Sequence, residues 1–179
     1  MGIVFQDPDD QLFMPTVFED VAFGPRNLGL SSGETRVRVE TALSAVGMEV
    51  YSDRPPHHLS FGQRRRVAVA TVLVMEPEIL VLDEPTSNLD PAGRRELAEI
   101  LKSLDLTMLM VSHDLPYALE LCPRSLLMNE GTLVADGHAR HPVRQRVDVG
   151  ESPGAPLRVR PRLRRSMNAG CMTPGPGAG

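Results

Sequence analysis

A chain of 179 residues, 41% apolar and 4% aromatic with no Trp, is long enough for one domain with a sizeable core; its longest mainly apolar stretch, Val67 to Met75, is far too short to span a bilayer. The N-terminus has no basic region followed by an apolar one, so no secretory leader is expected, and Cys122 and Cys171 lack metal-ligand spacing and read as free thiols of a reducing cytoplasm. The net charge of −4 conceals a split: 21 acidic against 11 basic side chains over residues 1–137, and eight Arg against Asp148 and Glu151 over residues 138–179.

In chain order, Gly2 to Phe5 predicts a strand leading into a turn-rich loop, Gln6 to Pro15. Glu34 to Val46 carries Val39, Leu43 and Val46 at helical spacing, and Gly47 suits the end of that helix. After a loop over Tyr51 to His58, a helix from Phe61 to Met75 is stopped by Glu76-Pro77. The apolar run Ile79 to Leu82 predicts a buried strand, followed by a helix from Pro91 to Leu104. Thr107 to Val111 predicts a second buried strand ending in Ser112-His113-Asp114, and Ser125 to Asn129 with Thr132 to Ala135 a hairpin turned at Glu130-Gly131. Strands alternating with helices predict an α/β fold with a mostly parallel sheet over residues 1–137. Residues 138–179, with six Pro and six Gly, cannot bury enough surface to offset their ordering entropy and read as a disordered Arg/Pro/Gly-rich tail. A basic tail could touch nucleic acid or anionic lipid; a solvated extension, or an out-of-frame product, is the plainer reading.

The most informative stretch is residues 79–90, Ile-Leu-Val-Leu-Asp-Glu-Pro-Thr-Ser-Asn-Leu-Asp. A buried parallel strand ending there delivers Asp83 and Glu84 into the crevice outside the carboxyl ends of the sheet, where ligands of open α/β sheets bind. Adjacent carboxylates at that place can divide the work of splitting a phosphate, Asp83 towards Mg²⁺ and Glu84 towards the attacking water. Strand-end turn and helix cap are the competing readings. Ser60 and Gly62, opening the helix that follows, offer a hydroxyl, free backbone N–H groups and a positive dipole end suited to a γ-phosphate; an ordinary N-cap serine is the alternative. His57, His58, Arg64, Arg65 and Arg66 read as solvated surface or helix-face residues.

Gln6, then Leu59-Ser60-Phe61-Gly62-Gln63, then Ile79 to Glu84, then Ser87-Asn88-Leu89-Asp90, then His113 stand in the order found in ABC-type ATPases. Over about residues 2–137 the chain therefore resembles the nucleotide-binding subunit of an ABC transporter, with its Q-loop, signature motif, Walker B strand, D-loop and switch histidine. The resemblance implies a P-loop NTPase fold of ABC type with a helical signature subdomain, and ATP and Mg²⁺ as ligands. It implies water-mediated Mg²⁺ coordination by Asp83, general-base or water-positioning work by Glu84, and γ-phosphate contact by His113. Gln6 would reach Mg²⁺ and water, and Asp90 would brace a dimer interface. The segment Ser60, Phe61, Gly62, Gln63 would close on ATP held by a second ABC ATPase subunit; the family's usual residue at Phe61 is Gly.

Residues 5–25, FQDPDDQLFMPTVFEDVAFGP, together with Val134 to Gly137, are similar to the ATPases of cobalt, nickel and vitamin uptake systems of the energy-coupling-factor type. That similarity implies docking of an integral membrane transport subunit near Asp7 to Phe23, a peripheral location on the cytoplasmic face of the membrane, and no nucleic-acid partner. A DNA-repair ABC ATPase is disfavoured by the close spacing of the signature and Walker B motifs.

One expected part has no counterpart. A P-loop needs G-x-x-x-x-G-K-[S/T], and the single lysine, Lys102, has no preceding glycine loop and falls on a predicted helix. The fold is thus expected to be incomplete at its N-terminus, with the strand Ile79 to Leu82 losing a sheet neighbour, the core losing a covering helix, apolar surface exposed and ATP affinity of the isolated chain very weak. Three readings follow: a transport ATPase represented by part of its sequence, a short chain lending its signature motif in trans, and an inactive remnant.

Overall fold

The computed structural model describes residues 1–138. The expected disordered tail, apart from His138, lies outside the described residues, as does Cys171. Strands β1 (Gly2–Val4), β2 (Ile79–Asp83) and β3 (Thr107–Val111) form a parallel sheet in the order β1-β2-β3, with Val4 beside Leu82 and Leu82 beside Met110. The helices are α1 (Val17–Asn27), α2 (Ser32–Ala45), α3 (Phe61–Leu73), α4 (Pro91–Ser103) and α5 (Leu115–Leu121), and β4 (Arg124–Asn129) with β5 (Thr132–His138) makes an antiparallel hairpin.

Each helix starts where a short polar side chain can satisfy a free backbone N–H. Thr16, Ser31, Ser60, Asp90 and Asp114 accept from the N–H three residues on, and Ser31/Glu34 and Ser60/Gln63 are reciprocal capping boxes. Helices α1 and α5 fall outside the predicted elements.

Helix α3 is the hub, packed against α1 and α2 on one side and against β1 on the other. Accordingly Val67, Ala68, Val69, Ala70 and Val72 are all buried. Strand β1 approaches so closely that a Cβ on Gly2 would overlap Val72 Cγ1, which is why glycine stands there. On one sheet face Val4, Leu80 and Leu82 are fully buried and Met108 and Met110 partly so.

The other face is not. Ile3, Ile79, Leu109 and Val111 are exposed on it, although parallel sheets are ordinarily covered on both sides. Exposed apolar surface was expected, and an uncovered sheet face fits the expected loss of a covering helix; the other expected cause is not seen. Strand β2 loses no neighbour: it is the central strand, and the edges among the described residues are β1 and β3. An uncovered apolar face beside an unpaired edge is a template for self-association. The isolated chain is expected to associate in a concentration-dependent way, and Leu109→Lys combined with Val111→Lys to suppress it. Static light scattering checks this; equal scattering from both proteins contradicts it.

Asp20 is 4% exposed on α1, and its Oδ1 accepts the N–H groups of Phe13 and Met14, each at 2.9 Å. Burial raises its pKa and Glu19 adds repulsion, against the lowering effect of the two N–H donors. A carboxyl with a raised folded pKa holds its proton more tightly in the folded state. The stability it supplies is present below the carboxylate range and is lost as pH climbs through the unfolded and then the folded pKa. For Asp20→Asn, the melting-temperature difference from wild type is expected to move in the variant's favour between acid and neutral pH. A constant difference across that range contradicts this.

Candidate active site

The tips of the three parallel strands bring together residues far apart in sequence. Gln6 follows β1, Asp83 ends β2 with Glu84 next, and His113 follows β3. Gln6 and His113 line one open cleft of about 770 Å³ with Thr86, Ser87, Asn88 and Arg94. Such a cleft at the carboxyl edge of an α/β sheet is the place where this architecture builds binding sites.

Glu84 is the organising residue. Its backbone N–H donates to the Val111 carbonyl at 2.9 Å, and its φ of 42° lies in the left-handed region that costs a non-glycine residue strain. That conformation turns the carboxylate towards the next strand. Oε1 accepts the His113 N–H at 2.9 Å, Oε2 lies 2.8 Å from His113 Nδ1, and the Ser112 hydroxyl donates at 3.4 Å. With Nδ1 facing a carboxylate, Nδ1 carries the proton in the neutral ring and Nε2 is left as an acceptor. The His113 side chain is 83% exposed, so that nitrogen is available to a ligand.

Asp114, next to His113, is fixed independently. It caps α5 through the Tyr117 N–H, takes an ion pair from Arg94 of α4 and lies 3.5 Å from the Thr86 hydroxyl. Asn88, with φ 62°, marks a second strained turn between β2 and α4.

The remaining predicted residues are placed less simply. Ser60 and Gln63 satisfy each other's backbone N–H groups, at 3.2 and 2.9 Å, so the N-cap reading of Ser60 is realised. The segment sits outside the cleft lining but next to it: a Cβ on Gly62 would meet Leu89 Cδ2 at 3.6 Å. Phe61 is flanked by the guanidinium groups of Arg64 and Arg65 at 5.7 and 5.5 Å from its ring centre. Asp90 spends its Oδ1 on the Gly93 N–H at 3.0 Å, capping α4.

Arg64 and Arg66 of α3 are half-buried helix-face residues, as expected, but Arg65 is not. Arg64 pairs with Asp9 at 2.9 Å, Arg66 lies 3.6 Å from Glu96, and Arg65 is wholly buried. No sequence neighbour signals this, because the groups that receive Arg65 are the carbonyls of Phe5 and Gln6, some sixty positions earlier.

Asp83 is exposed at the strand tip, and its carboxylate makes no hydrogen bond or ion pair among the described residues. An oxygen donor left free in this way fits a hard cation held through water. A phosphate cradle is a different matter. Lys102 is bound to Glu120 at 2.6 Å on α4, so these residues do not supply the P-loop lysine.

An α/β sheet with two carboxylates and a histidine at its carboxyl edge has the general build of a ligand site of open α/β proteins, and the comparisons make the class specific. The ABC transporter family model matches residues 1–87. A putative ABC transporter ATP-binding protein of Streptomyces avermitilis is 75% identical over 137 residues, 76% of this chain and 52% of that protein. The energy-coupling factor transporter ATP-binding protein EcfA of Carboxydothermus hydrogenoformans is 53% identical over 140 residues, covering 76% and 52%. The structure of cbiO1 from Clostridium perfringens, part of the ABC transporter complex cbiONQ, superposes with a TM-score of 0.73 at 46% identity, over 78% of this chain and 57% of that one. The chain belongs to the ABC transporter ATP-binding protein family, and its relatives include proteins of the energy-coupling-factor type. It spans about half the length of the curated relatives it matches.

Proposed function

We propose that these residues form the hydrolytic and signature parts of an ATP-hydrolysing subunit that powers an ABC-type membrane importer of the energy-coupling-factor type, taking up cobalt, nickel or a vitamin. The observation that carries the reading is the Glu84–His113 pair at the sheet's carboxyl edge, with Asp83 free beside it. ATP would supply the phosphoryl group, with Mg²⁺, when bound, there to neutralise charge on it. Asp83 would hold Mg²⁺ through water, with Gln6 as a second oxygen donor. Glu84 would take the proton of the attacking water, and His113 would present Nε2 to the terminal phosphate. Ser60 to Gln63 would close on ATP bound by a second ATPase subunit, across an interface that Asp90 helps to hold.

The exposed pair Phe13 and Phe23, edge to face at 5.0 Å, supports docking of a membrane subunit along residues 7–23. No helix among the described residues is long and apolar enough to cross a membrane, which is compatible with a peripheral place on its cytoplasmic face. Residues 1–137 would act as one ATPase unit with 138–179 as an appended tail. A second reading, in which this chain lends its signature segment to a complete partner, draws on the engagement of Lys102 away from the cleft.

The test is uptake of labelled Co²⁺, Ni²⁺ and a panel of water-soluble vitamins in cells carrying wild type or Glu84→Gln. Selective loss of one uptake is expected; unchanged uptake of every compound contradicts the importer reading.

A further inference from the structure

Arg65 is the largest fully buried side chain of the described residues, and its charge has no carboxylate in contact among them. Its Nη1 donates to the Phe5 carbonyl at 2.6 Å, its Nη2 to the Gln6 carbonyl, and its Nε has no partner. Burial lowers its pKa, with Asp7 and Asp83 acting from further off to favour the charged form. Leaving a guanidinium so poorly compensated is costly, and an apolar side chain of similar length would fill the space without that cost. What only arginine offers there is a rigid fork of donors that grips two successive backbone carbonyls.

Two further contacts fasten the same loop to the same helix. Gln11 Nε2 donates to the Ala68 carbonyl at 2.9 Å and to the Thr71 hydroxyl at 2.7 Å, while its Oε1 accepts the Phe5 N–H at 3.2 Å. Arg64 pairs with Asp9. Phe5 is thereby held at both its N–H and its C=O. We propose that Arg65 is a positioning residue that locks the backbone of Gln6 to α3, so that Gln6 and the Ser60–Gln63 end of that helix move as one body. The proposal rests on the ATPase reading above. A shift of the helix end on meeting a phosphate would then be passed directly to Gln6 and the loop after it.

The test compares wild type, Arg65→Met and Arg65→Lys in the assembly purified through a tag on this chain, by hydrogen-exchange mass spectrometry and steady-state ATP turnover. Arg65→Met is expected to raise nucleotide-free exchange over residues 5–11 about tenfold, leaving α4 and β3 unchanged. It should lower kcat about tenfold with KM for ATP within about twofold, and Arg65→Lys should recover part of both effects. Because Met removes a desolvated charge, its melting temperature should not fall. Unchanged exchange over residues 5–11, or a rise spread evenly over the chain with a lower melting temperature, overturns the proposal. Absence of turnover in the wild-type assembly would reject the ATPase reading instead, and the exchange comparison would still decide the role of Arg65.

Discussion

Glu84→Gln is expected to lower ATP turnover by the assembly containing this chain at least about a hundredfold, with ATP binding retained. The amide keeps the shape of the side chain, and its oxygen can still accept the His113 N–H that Glu84 holds at 2.9 Å. The turn after β2 therefore keeps its partner across to β3. What disappears is a group able to take a proton, and the charge that holds His113 Nδ1 at 2.8 Å. His113→Ala should act in the same direction, because it removes the only imidazole in the cleft lining. Phosphate release together with equilibrium ATP binding separates the effects: loss of both points to a damaged fold, and retention of turnover removes Glu84 from the chemistry.

The second large effect concerns the sheet. Leu80→Ala is expected to destabilise the chain by about 3 kcal/mol and lower its melting temperature by roughly 10 °C. Leu80 is fully buried on the central strand, level with Gly2 of β1 and Met108 of β3. Close contact between β1 and α3 leaves the surroundings little freedom to collapse into the space a shortened side chain would vacate. That cost is a large fraction of the few kcal/mol by which domains are stable, and a sheet of three strands has few other contacts to compensate. Thermal unfolding followed by circular dichroism checks it. A loss below about 1 kcal/mol would mean that the packing around β2 is looser than described.

The parts legible in the sequence were those written locally. Short apolar runs ended by polar residues gave β2 and β3, and the spacing of Val39, Leu43 and Val46 gave α2, although the capping box from Ser31 to Glu34 starts that helix earlier. Helix α1 carries a comparable signal in Thr16 and Glu19 that the sequence reading did not use, and the chain accommodates Pro25 inside it. Helix α5 is seven residues long, too short to show a period, and begins at the loop that carries His113.

What the sequence withheld was set by distant contacts. Strand order is invisible locally, so β2 was expected to lose a sheet neighbour, whereas it is paired on both sides and β1 and β3 are the edges among the described residues. Arg65 stands between two other arginines and reads as solvent-facing, and only the return of β1 beside α3 supplies its carbonyl partners. The candidate site was legible as residue types at motif spacing. The reach of Glu84 to His113 depends on a backbone turn with positive φ that no residue type announces.

As proposed, this chain supplies the hydrolytic and signature residues while the phosphate cradle comes from elsewhere. Isothermal titration of Mg-ATP into the purified 179-residue chain, and into the assembly isolated with it, tests that most directly. Binding by the assembly at micromolar concentration and none by the chain alone is the predicted result. Micromolar binding by the chain alone would contradict the claim.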